Sequence, residues 1–94
     1  CHTNSNAQVV AAALLWGDDD FGQIIGQAVM CGFDTDCNAA TVGSLWGMMH
    51  GVTRLPEAWI APLNNTLLTH VAGHQIIAID KFATNLAKWV WAQR

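Results

Sequence analysis

Four consecutive residues, Asp34-Thr35-Asp36-Cys37, carry the densest chemistry in the chain. Two carboxylates one residue apart offer hard oxygen donors to a divalent cation, and a softer thiol follows at once. Gly32 stands before them and a run of small residues, Ala39 to Gly43, comes soon after. Acids ahead of such a run also cap helices, because their oxygens accept the free N–H groups of the first turn. The two roles are compatible, and spacing alone leaves both open. His70 and His74 lie four apart, the interval of a metal pair on one helix face, but Gly73 between them argues against a helix there. All four histidines, His2, His50, His70 and His74, read as surface or partly buried. Asp18-Asp19-Asp20 reads as an N-cap and first helical turn, where carboxylates meet the positive end of the helix dipole.

The composition limits what such residues can serve. Ninety-four residues make one domain or a domain fragment, residues 1–94. The chain is 52% hydrophobic and only 12% charged, against roughly 25% charged in ordinary soluble domains. So small a chain cannot hide that apolar load, so a homo-oligomer or a missing N-terminal portion is expected to cover it. Apolar runs are interrupted well short of the roughly 20 residues that cross a membrane. The net charge is −3 with four Lys and Arg in all, which offers no basic patch for nucleic acid. Without that patch, the five tryptophans read as core packing rather than base stacking. Cys1, Cys31 and Cys37 form no even framework and no Cys-x-x-Cys pair. They read as reduced thiols of a cytoplasmic protein, with Cys31 and Cys37 as buried small hydrophobes.

The elements that hold the acids follow from periodicity. Val9, Val10, Ala13 and Leu14 predict a helix capped by Ser5 or Asn6 and stopped at Gly17. Phe21, Ile24, Ile25, Ala28 and Val29 predict a second, ended by Gly32. A third is expected from about Asp36 to His50. Ala39, Gly43 and Gly47 form an almost bare ridge on it, with bulk on the other sides, the pattern of a buried central helix. A short helix is expected from Pro56 to Trp59 or Ile60, halted by Pro62. The last, from Ile79, is amphipathic, with Ile79, Phe82, Ala83, Leu86 and Val90 on one face. His74-Gln75-Ile76-Ile77-Ala78-Ile79-Asp80 is the only strand candidate. The fold class expected is all-α, an orthogonal bundle fragment of four main helices.

With the elements placed, residues 32–51, GFDTDCNAATVGSLWGMMHG, resemble the C-terminal signature of the ADP-ribosylglycohydrolases, in which Asp-Thr-Asp precedes a small-residue helix. Residues 2–32 look like the two helices before that signature, and residues 55–73 look like the Leu-Pro, Trp and Pro-Leu segment after it. The resemblance covers nearly the whole chain. It implies an all-helical fold that binds two magnesium ions and cleaves the bond linking ADP-ribose to an acceptor. It implies that Asp34 and Asp36 match two metal-ligating aspartates and that Cys37 takes the position where many members carry a hydroxyl ligand. Members are several times longer, and their Thr-Asp-Asp motif, which supplies further ligands, does not occur in these residues. The resemblance therefore implies part of a metal-dependent hydrolase, inactive alone. The alternative is a non-catalytic helical assembly module that self-associates.

Overall fold

The computed structural model describes residues 2–94, so the reading of Cys1 lies outside it. The described chain is helical apart from one small hairpin, as the all-α reading expects. It divides into two compact units, Cys1–Leu55 and Pro56–Arg94.

The first unit holds α1 (Thr3–Trp16), α2 (Phe21–Met30) and α3 (Thr35–His50). α1 starts earlier than Ser5 or Asn6 would start it. His2 takes the cap, its Nδ1 accepting from the Asn4 N–H at 3.3 Å, which frees Asn6 for another partner. Gly17 ends α1 as expected, but for a packing reason. A Cβ there would lie 2.1 Å from Ile24 Cγ1, so only glycine lets α2 come this close. Asp18 and Asp19 then turn through left-handed backbone, φ 51° and 59°, a conformation that Asp tolerates better than most residues. Of the three aspartates only Asp20 caps α2, accepting the Gln23 N–H at 2.9 Å. The expected first-turn role of Asp18 and Asp19 gives way to this turn.

The core of this unit is Val9 and Ala13 from α1, Ile24 and Ala28 from α2, and Val42 and Trp46 from α3. Phe21 meets the Trp46 ring edge-on at 5.2 Å. α3 buries one stripe, Asn38, Val42 and Trp46. It is not sheathed all round, since Met48 and Met49 are exposed. The glycine ridge divides in use. Gly43 lies under α2, where a Cβ would sit 3.2 Å from Ile25 Cδ1, whereas Gly47 has nothing within 4 Å of such a Cβ. The far end of α3 is tied by ionic contacts that the sequence reading did not anticipate. His50 Nε2 lies 2.6 Å from Asp19 Oδ1, off the hydrogen-bond axis, and Arg54 reaches both His50 Nδ1 at 2.9 Å and Asp19 Oδ2 at 3.4 Å.

The second unit opens with α4 (Glu57–Ile60), which starts after Pro56 and runs into a 3₁₀ turn, Ala61–Leu63, that contains Pro62. β1 (Thr66–Leu68) and β2 (Ile76–Ala78) pair antiparallel, Leu67 opposite Ile77. The strand candidate is thus real. Its partner lies in a stretch that reads as irregular because three residues are too few to show alternation. α5 (Ile79–Ala92) follows, and the His74 ring meets Phe82 edge-on at 5.6 Å. None of residues 56–94 is buried.

Candidate metal centre

α3 brings its acids together at its first turn. Asp34 occupies the N-cap position but its side chain makes no capping hydrogen bond, and Asp36 falls in the first turn. The Asp34 carboxylate therefore accepts no backbone N–H of the first turn. One donor atom from each of Asp34, Asp36 and Cys37 lies within 4.8 Å of the others. Opposite corners of an octahedron with bonds of about 2.1 Å are about 4.2 Å apart, so these donors nearly span a single ion. Asp36 and Cys37 are exposed, and small rotations would close the difference.

The three donors are not equal. A hydrogen bond to Asp34 pushes the Cys37 thiol pKa up, and the negative charges of Asp34 and Asp36 add to the effect. Cys37 accordingly holds its proton, whereas a thiol ligates metal as the thiolate. The two carboxylates fit a hard cation such as magnesium, and a protonated sulfur does not. Cys37 instead donates a hydrogen bond to Asp34. Cys31 and Cys37 are free and exposed, which corrects the expectation that both are buried. The reason is position: Cys31 is the C-cap of α2, and Cys37 lies on the face of α3 away from the Asn38, Val42 and Trp46 stripe.

The other candidates do not assemble. His70 and His74 lie within the loop between β1 and β2 rather than sharing a helix face, and His74 is engaged with Phe82. All four histidines are exposed or half-buried, as expected. Asn38 escaped the sequence reading. It is a polar residue in the buried stripe, 3% exposed, and its Nδ2 donates to Asn6 Oδ1 at 3.1 Å. The available signal was its position four residues before Val42, on the face that turns inward. Asn6, Asn38 and Cys37 also line an open groove of about 570 Å³ between α1 and α3, to which neither Asp34 nor Asp36 contributes.

The ADP-ribosylglycohydrolase family model matches residues 2–93. No curated protein and no solved structure matches the chain. The Asp-Thr-Asp turn, the small-residue helix behind it and the two helices before it are thus parts of one pattern, and the chain belongs to the ADP-ribosylglycohydrolase family.

Proposed function

We propose that this chain supplies one acidic edge of a magnesium centre in a hydrolase that releases ADP-ribose from its acceptor. The observation that carries the reading is the Asp34 carboxylate, which sits at a helix N-cap, does not cap, and lies beside Asp36. Asp34 and Asp36 would hold the cation. When bound, such a cation orients ribose hydroxyls and polarises an attacking water. The residues here contribute negative charge at a fixed place, and Cys37 steadies Asp34 by hydrogen bonding. Cleavage at an anomeric carbon passes through an oxocarbenium-like transition state and calls for a general base. Among the described residues no further acid or histidine joins the cluster, so the opposing ligands and the base are assigned to other residues of a longer protein or to a second chain. The chain alone is accordingly expected to be inactive and to bind divalent ions weakly. Two carboxylates give two or three of the roughly six ligands magnesium takes.

Calorimetric titration with magnesium and manganese tests this. Weak binding lost in both Asp34→Asn and Asp36→Asn supports the reading, and binding indifferent to both refutes it. So does turnover of an ADP-ribosylated substrate by the 94-residue chain.

The second reading, a self-associating helical module, has its own support. Large apolar side chains stand in solvent, among them Met30 at 84% and Met48 at 82% exposure. Light scattering separates the two readings. A stable monomer at high concentration removes the module, and an oligomer that keeps its mass in Asp36→Asn favours assembly independent of metal.

A further inference from the structure

Two apolar surfaces lie open among the described residues. The first is the groove between α1 and α3, lined by Ala7, Val10, Ala11, Leu14, Asn38 and Thr41 among others. α1 carries no charged residue from Thr3 to Trp16, and Ala7 and Ala11 are exposed. A surface helix ordinarily turns charged or polar residues to water; this one turns small apolar ones. The groove also holds an acceptor without a donor. Asn38 is 3% exposed and its Nδ2 donates to Asn6, but among the described residues nothing donates to its Oδ1. A carbonyl in so buried a side chain favours an occupant that brings an N–H.

The second surface is the apolar face of α5. Phe82 meets His74, but Leu86, Trp89 and Val90 further along stand in solvent, Trp89 at 64% exposure. Phe82, Leu86 and Trp89 have the spacing by which an amphipathic helix enters a groove. The face from Ile79 to Val90 and the groove wall from Thr3 to Leu14 each span eleven helical steps, about 17 Å. Trp89 carries the missing donor. Its indole N–H only donates, and it has no acceptor among the described residues.

The charges decide which surfaces meet. Residues 1–55 hold five aspartates and one arginine, a net charge of −4, whereas α5 with Arg94 sets Asp80 against Lys81, Lys88 and Arg94, a net charge of +2. Opposite signs favour α5 against the three-helix unit of another molecule, and like signs disfavour α5 against a second α5.

We propose that the α1–α3 groove of one copy receives the α5 helix of a second copy, with Trp89 Nε1 donating to Asn38 Oδ1. This names the surfaces for the self-association reading above and rests on it; the magnesium reading is not involved. Stable interfaces bury about 1,600 Å², more than one helix in one open groove supplies. Two reciprocal seats, each copy lending α5 and receiving one, double the area and close the pair.

Analytical ultracentrifugation of the full 94-residue chain tests this. The unaltered chain should dimerise. Ala11→Glu blocks the groove at an exposed position, and circular dichroism checks that the helices remain; Thr41→Arg on the opposite wall is a second block should that variant unfold. Trp89→Ala removes anchor and donor together. Each should weaken self-association about tenfold or more, as loss of a central aromatic anchor usually does. Trp89→Phe keeps a ring without the N–H and should weaken it less. Mixed, the groove-blocked and Trp89→Ala copies should associate better than either alone, because one still lends an intact α5 and the other an intact groove. If the chain self-associates but both groove variants leave it unchanged, or if mixing restores nothing, this proposal is overturned and the self-association reading stands. A stable monomer at high concentration removes both and leaves the groove to another segment of a longer protein.

Discussion

Cys1–Leu55 and Pro56–Arg94 are both rich in apolar residues, but only the first has a core. Three helices meet in the first unit, and small residues at Ala13, Ala28 and Gly43 let them close on Val42 and Trp46. In the second unit one long helix stands beside a hairpin of three-residue strands. A hairpin of that size is marginal alone, and a single amphipathic helix has no second layer against which to bury its face. Leu86, Trp89 and Val90 stay about half exposed or more. Apolar content does not make a core; interlocking surfaces do.

Trp46→Ala should break the contrast most severely. Removing a buried tryptophan costs about 3–5 kcal/mol, much of the total stability of a small domain. Thermal unfolding followed by circular dichroism should show the first unit lost or nearly so. Phe82→Ala in the second unit should leave hydrogen-exchange protection at Val42 unchanged. Gly43→Leu comes next, at about 1–3 kcal/mol from overpacking, because the first added carbon already meets Ile25. Denaturant midpoints would register it. Asp20→Ala should cost about 1 kcal/mol by removing the cap of α2, and restoration by Asp20→Ser would identify capping as the cause. Gly47→Ala should go the other way and stabilise by up to about 1 kcal/mol, since no atom stands near the new methyl. The same ridge would thus yield opposite signs at neighbouring turns.

The smallest effect concerns the thiols. The Cys37 pKa is raised, so at a pH near that of an ordinary thiol less of it is thiolate than an unperturbed group would be. As pH rises through that range, Cys37 should ionise late. Mass spectrometry after limited iodoacetamide treatment near pH 8 should find Cys31 modified ahead of Cys37, both being exposed. Asp34→Ala should narrow the gap by removing the hydrogen-bond acceptor and one of the two charges.

Long periodic segments were legible before folding. The helices around Val9 to Leu14, Phe21 to Val29 and Ile79 to Val90 all formed, because apolar spacing near 3.6 residues has one good solution. Their ends were less legible. α1 begins at Thr3 because the His2 ring can cap it, and histidine is not among the usual caps. The β1–β2 hairpin was half seen, since its pairing is a property of two segments and neither is long enough to declare itself. Asp34 and Asp36 could be named from the motif, but not whether Asp34 caps.

The amino-acid sequence by itself determined the family, the order of the helices and the adjacency of the two aspartates. These depend on residue identity and on separations of four residues or fewer along one chain. Only the tertiary structure decided which glycine is needed for close approach, that Asn38 reaches Asn6, that His50 and Arg54 converge on Asp19, and that the Asp34 carboxylate is left free of the helix end. Each of these depends on where a second element lies when α1, α2 and α3 close on one another. A hydrogen bond spanning 32 residues, or a methyl clash across two helices, has no local signature, because the energy that selects it comes from burying the common core.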